Sequence, residues 1–267
     1  ACGGAPRQCF PGNGLTATVA ERRRLLIDAS RLPPTGEHRC VHLNDQEARY
    51  LRKVLRLKPG ALVDVVDGYG HLWTATLITG DRLELTTDLS KPVETELKPM
   101  PQLGLAIALV RRGMDDVMRM ACELGVDQLQ PIQAERSVPQ AEHRPERWNV
   151  ILQEAVEQCE RLWTPDLQPL LLSEDWWEAP AIEDLRLIAV TRDSGCPHLE
   201  TWLDQASARW PRIWLAIGPE GGWSERELAD AQASGWVGVA LGKTILRSST
   251  AAVAGISALC TKRMLSD

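Results

Sequence analysis

Four short segments are apolar almost without interruption: LGLAIALV (Leu103 to Val110), LRLIAVTR (Leu185 to Arg192), RIWLAIG (Arg212 to Gly218) and VGVALG (Val237 to Gly242). A strand with one face in water alternates apolar and polar residues, whereas an unbroken run requires burial on both faces, as in a parallel sheet covered by helices. The intervening sequence supplies the helices and one further strand candidate, DQLQPIQ. DDVMRMACELG reads as a helix stopped by Gly125. RPERWNVILQEAVEQCER puts Trp148, Ile151, Leu152, Ala155, Val156 and Cys159 on one side. The chain closes with SSTAAVAGISALCTKRML, in which Ala251, Ala252, Ala254, Gly255, Ser257 and Ala258 are small. That helix is either an ordinarily packed one or a close crossing, within the fold or across a dimer. The expectation for residues 103–267 is an α/β domain with a mostly parallel sheet.

The front of the chain differs. From RRRLLID to about Asp88 it reads as β-rich, with ALVDVVDGYGHLWTATLI alternating about the turn DGYG as a hairpin does. One helix is expected in NDQEARYLRKVLRL, capped by Asn44 or Asp45, with Leu51, Val54 and Leu55 as its apolar stripe. Arg49, Arg52, Lys53 and Arg56 recur on one face of that helix, which is either solvated or a phosphate-contacting surface. Residues 22–92 form a first domain on this reading. Residues 93–102, in the Pro- and charge-rich SKPVETELKPMPQ, are the linker, and residues 1–21 are an extension.

Charge follows the same division. The net charge is −6, yet residues 1–97 carry 13 Lys and Arg against 12 Asp and Glu, so the acidity lies in the second part. No apolar run approaches the roughly 20 residues that cross a bilayer, and the opening ACGGAPRQCFPGNGLTATVA lacks the apolar centre of a secretory signal. The seven cysteines are odd in number and lack C-x-x-C spacing, which points to reduced thiols and a cytoplasmic protein. His38 and His42 flank Cys40 without a further ligand cluster, so strand or loop is the expectation and no metal site.

IGPEGGWSERE (Ile217 to Glu227) and LGKTILRSST (Leu241 to Thr250) each follow a buried strand, and ligands in open parallel sheets sit beyond such strand ends. A phosphate loop needs Lys and then Ser or Thr after its last glycine, but Trp223 follows Gly222. The G-x-G-x-x-G dinucleotide pattern is absent as well. Glu220 would repel a phosphate and suits a ligand with hydroxyls or an amine. Ser224 and Glu227 form a capping box for the next helix. The alternative for the whole segment is a tight strand-to-helix turn.

IGPEGGWSERE followed about twenty residues later by LGKTILRSSTAAVAGISAL resembles the ribosomal small-subunit RNA methyltransferase E family. ELGVDQLQPIQAERSV, RWNVILQEAVEQCER, RRLLID and YLRKVLRLKPG agree in order, so the resemblance runs from about Arg22 to the C-terminus. It implies a small β-barrel, PUA-like RNA-binding domain, then a trefoil-knotted domain of the SPOUT class, in a homodimer. It also implies S-adenosyl-L-methionine (AdoMet) as cofactor and N3 of a uridine in 16S rRNA of the small ribosomal subunit as methyl acceptor. Carried onto this chain, the cofactor loops are Thr191, Ile217, Gly218, Pro219, Glu220, Gly221 and Gly222, with Leu241, Gly242, Ile245, Leu246 and Arg247. Arg247, Arg136 and Arg161 are the expected catalytic or substrate-positioning residues; Arg24, Arg49, Arg52, Lys53 and Arg56 are the expected RNA contacts. The chain departs from the family at Ser249, where a Glu is usual, at Met120, where a Lys is usual, and near Tyr50, where a His is usual. A catalytically silent RNA-binding protein, and a knotted methyltransferase acting on a ribose 2′-hydroxyl or on tRNA, are the other readings.

Overall fold

The structure is a computed structural model that describes residues 22–33, 39–79, 81–191, 195–205 and 209–265. The extension at residues 1–21, His38 and Arg192 at the end of LRLIAVTR lie outside the described residues.

The first sheet contains β1 (Arg24–Leu26), β2 (Cys40–His42), β3 (Leu62–Val66), β4 (His71–Thr79), β5 (Arg82–Leu85) and β6 (Glu94–Thr95). Its order is β1-β3-β4-β5-β2, with β6 also on β4. β3 and β4 form the expected hairpin, with Val66 opposite Leu72 across DGYG. Alternate residues Val63, Val65, Ala75, Leu77, Leu83 and Leu85 face one core together with Leu25 and Val41. The linker reading needs adjustment, because Glu94 pairs with Leu72 and so extends this sheet.

The single helix expected after Asn44 is broken. Helix α1 spans Asp45–Arg49, with Asn44 and Glu47 making a reciprocal capping box, and a π-helical turn follows at Tyr50–Val54. Leu55 N–H reaches back five residues to Tyr50 O at 3.0 Å, and Leu57 N–H six residues to Leu51 O at 3.0 Å. A wider turn rotates later side chains away from the α-helical stripe. Leu51 is buried as expected, whereas Val54 is 64% exposed.

The second sheet is wholly parallel, in the order β10-β8-β7-β12-β11-β13, with β9 on β8. Its strands and helices are β7 (Gln102–Ala108), α2 (Met114–Glu123), β8 (Gln128–Gln133), α3 (Pro145–Gln158), β9 (Asp166–Leu167), β10 (Leu171–Leu172), α4 (Ser173–Trp176), β11 (Leu185–Ala189), α5 (Leu199–Gln205), β12 (Arg212–Ile217), α6 (Glu225–Ala233), β13 (Val237–Val239) and α7 (Ser248–Met264). The unbroken apolar runs fill both faces. Leu103, Leu105, Ile107, Ile213, Leu215 and Ile217 meet α2, α3, α5 and α7. Ala106, Ala108, Trp214 and Ala216 meet Trp176, Trp177, Trp223 and Trp236 on the other side. A Cβ on Gly255 would lie 2.3 Å from Leu215 Cδ2, so Gly255 serves a close crossing within the fold, whereas Ala254 and Ser257 on the same helix are exposed. After β13, at the sheet edge, the chain passes the ends of β11 and β12 to reach α7, which packs on β7 and β12. That path is consistent with the knotted threading the resemblance implies.

The two sheets meet along a seam. Gly70 N–H donates to Leu162 O at 2.9 Å and Thr164 N–H to Gly68 O at 3.0 Å. Glu157 of α3 accepts Leu26 N–H at 2.9 Å. Burial pushes the Glu157 carboxyl up to about 7, against that hydrogen bond and one with Gln153.

Candidate active site

The loops that leave β11, β12 and β13 converge at the carboxyl end of the sheet around a cavity of about 570 Å³. Thr191, Ile217, Gly218, Pro219, Gly222, Leu241, Gly242, Ile245 and Leu246 line it, joined by Ser248 and Ala251 from the start of α7. The wall is mostly backbone and aliphatic carbon. Trp223 closes one side, its indole N–H donating to Ala189 O at 3.2 Å. A Cβ on Gly218 would touch that ring at 3.2 Å, whereas a Cβ on Gly242 would meet no atom within 4 Å. Gly222 has φ +68°, the left-handed turn that glycine takes without strain.

The glycine loop is held from behind by the segment after β8. Arg136 Nη1 donates to Trp223 O at 3.0 Å and to Gly221 O at 3.3 Å. Glu227, 2% exposed, completes the expected capping box with Ser224 and also accepts Glu135 N–H at 3.0 Å. α6 therefore starts at a fixed point, and the loop before it has little freedom.

Three residues expected among the cofactor contacts sit elsewhere. Gly221 faces Arg136, whose Cβ would lie 3.0 Å from an added Cβ. Glu220 and Arg247 line a second cavity of about 640 Å³ with Val110, Arg111, Arg112, Gly113, Asp116, Ser248 and Ser249. Ser248 belongs to both cavities. Glu220 Oε1 accepts Arg111 N–H at 2.9 Å, which joins the end of β7 to the glycine loop. Among the described residues, Arg111, Arg112 and Arg247 are exposed and have no ion-pair partner. The basic pair Arg111–Arg112 escaped the sequence reading; its signal was its place directly after a buried strand.

Two further expectations are corrected. Arg161 donates to Cys122 O at 2.9 Å, Val126 O at 2.8 Å and Asp127 Oδ1 at 3.3 Å. Asp127 also takes Arg263 at 2.7 Å and Leu103 N–H at 2.8 Å. This buried group closes the amino end of the sheet, roughly 17 Å, or five residues of strand, from the cavities. Arg161 is a structural tie there, its guanidinium donating to carbonyls at and just past the end of α2. Arg24 likewise turns inward and binds Glu160 at 3.2 Å across the seam, with its side chain 15% exposed. Arg49, Arg52, Lys53 and Arg56 are exposed, and among the described residues none has an ion-pair partner.

A family model for an RNA methyltransferase domain matches residues 96–260, and one for an RNA methyltransferase PUA domain matches residues 43–89. A ribosomal RNA small subunit methyltransferase E from Synechocystis sp. is 38% identical over 226 residues, covering 82% of this chain and 73% of the relative. The chain belongs to this family. A member from Mycobacterium bovis is 27% identical over 242 residues, covering 88% of this chain and 90% of the relative. The crystal structure of the family member from Neisseria gonorrhoeae, bound to S-adenosyl methionine, superposes with a TM-score of 0.75 at 28% identity. It covers 90% of this chain and 98% of that one. Ser249, where other members carry Glu by the resemblance, stands in the second cavity of this one.

Proposed function

We propose that this chain is an AdoMet-dependent rRNA methyltransferase and that it methylates N3 of a uridine in 16S rRNA of the small ribosomal subunit. The observation that carries this reading is the pair of adjoining cavities joined at Ser248. The first suits AdoMet. Its volume is in the range of small-molecule sites, its wall offers backbone and apolar contacts, and Gly242 leaves space that any side chain would take. Thr191, Ile217–Pro219 with Gly222, and Leu241–Leu246 would hold the cofactor, with Arg136 acting from behind the glycine loop. Bound there, AdoMet supplies an electrophilic methyl group on a sulfonium.

The second cavity suits the base. A uracil is reached only when it leaves its stack. The site must then orient N3 and stabilise the negative charge that moves onto the uracil carbonyl oxygens as the N3 proton is lost. Arg247 is suited to that task by its permanent charge and its place beside Ser248. The exposed bases of Arg49, Arg52, Lys53 and Arg56 would hold phosphates of the surrounding RNA, positioning it without reading sequence. The functional unit on this reading is a cytoplasmic homodimer.

Transfer of tritium from labelled AdoMet to undermethylated small subunits tests the proposal. Incorporation that requires Arg247 is expected. RNA binding without incorporation would favour instead a silent RNA-binding protein, a reading motivated by Ser249.

A further inference from the structure

The Watson–Crick edge of uracil presents an acceptor, a donor and an acceptor: O2, N3–H and O4. A wall that recognises it needs a donor, an acceptor and a donor. Two carboxylates line the second cavity, Glu220 and Asp116. Asp116 faces Arg119 one turn along α2 at 3.6 Å. Glu220 differs in two respects. Its Oε1 is pinned by Arg111 N–H at 2.9 Å, and among the described residues its Oε2 has no partner. Its neighbours around the cavity are Arg111, Arg112, Arg247, Ser248 and Ser249, whose side chains all carry donor groups.

We infer that Glu220 is the residue that selects uracil, its free carboxylate oxygen accepting N3–H while the flanking guanidiniums and hydroxyls donate to O2 and O4. The inference rests on the reading of the chain as a uridine N3-methyltransferase and names the determinant of its base choice. Cytosine presents a lone pair at N3 and an amino group at C4. It would set that lone pair against the carboxylate and its amino group against a guanidinium. Selection thus comes from repulsion of the wrong base as well as attraction of the right one. The assignment also explains why a carboxylate is tolerated among three arginines in a cavity meant for RNA. The Arg111 N–H bond fixes its orientation before the base arrives, so little is lost in ordering it on binding.

The test uses the full chain with S-adenosylhomocysteine, which has no methyl to transfer. Fluorescence anisotropy measures binding of two labelled RNA nonamers that differ only in a central uridine or cytidine. The wild type should favour the uridine strand by about tenfold or more, the scale of one well-placed base contact. Glu220→Gln keeps its oxygen for Arg111 N–H and so turns an NH2 donor, in place of an acceptor, toward the base. It should reduce the preference to about threefold or less. Asp116→Asn should keep the wild-type ratio. An unchanged ratio in Glu220→Gln, a collapsed ratio in Asp116→Asn, or no preference in the wild type would each overturn the inference. Calorimetry with S-adenosylhomocysteine alone should give Glu220→Gln wild-type affinity; a loss would return Glu220 to the cofactor cavity and also overturn it. Label transfer to small subunits separates the two levels. An inactive wild type refutes the methyltransferase reading, whereas an active wild type with an unmoved ratio in Glu220→Gln refutes the Glu220 assignment alone.

Discussion

Arg136 holds Trp223 in place, donating from Nη1 to its carbonyl oxygen at 3.0 Å while the Trp223 ring walls the first cavity. Arg136 touches no part of the cavity itself, so its influence on a bound cofactor passes through the glycine loop. Arg136→Ala should weaken AdoMet binding by about tenfold through lost pre-organisation. Lysine, with one ammonium and no fork, should recover little of this. Calorimetry of both variants checks the prediction; unchanged affinity in Arg136→Ala would mean the loop stands without it.

Gly242 offers the cleaner probe of the cavity. A Cβ there would meet no atom within 4 Å, whereas one at Gly221 would crowd Arg136 Cβ at 3.0 Å. Gly242→Val should lower AdoMet affinity by about a hundredfold or more while moving Tm by no more than about 2 °C, because nothing in the folded chain is displaced. A large fall in Tm would show that Gly242 is needed for folding.

The seam should respond to pH through Glu157. Its folded pKa is raised to about 7 from an ordinary 4.5, so between these values the folded chain holds a proton that the unfolded chain has released. Stability therefore falls as pH rises through that window, by at most roughly 3 kcal/mol for this group. Glu157→Gln keeps an acceptor for Leu26 N–H and should flatten the change. Urea unfolding at pH 5 and pH 8 measures it; an equal pH dependence in wild type and variant would place the effect elsewhere.

The two sets of front-domain arginines should behave oppositely. Arg52→Glu with Arg56→Glu should weaken RNA binding and reduce its log–log salt slope by about 1.5, the loss of two phosphate contacts. Arg24→Ala should leave that slope unaltered and lower Tm, since Arg24 is bound to Glu160 across the seam. A salt slope that falls with Arg24→Ala would restore it to the RNA surface.

Much of this was legible because periodicity reports burial directly. The unbroken runs at Leu103, Leu185 and Arg212 became parallel strands covered on both faces, and the S-x-x-E box at Ser224 became the start of α6. What escaped depends on contacts remote in sequence. Nothing local to Arg24 or Arg161 reveals that each faces a buried or inter-sheet acceptor, and an exposed Arg52 reads the same way in one dimension. The π-helical turn at Tyr50–Val54 displaced Val54 because a helical stripe assumes a constant turn. Glu220 and Gly222 are two residues apart yet face different cavities, a division set by the turn at Gly222 and the Arg111 bond.

The central claim is the identity of the methylated atom. Nuclease digestion and mass spectrometry of small-subunit RNA, after incubation with the chain and labelled AdoMet, measures it directly. The account predicts label in N3-methyluridine, lost in Gly242→Val. Label on a ribose 2′-hydroxyl or on another base, with none in N3-methyluridine, would contradict it.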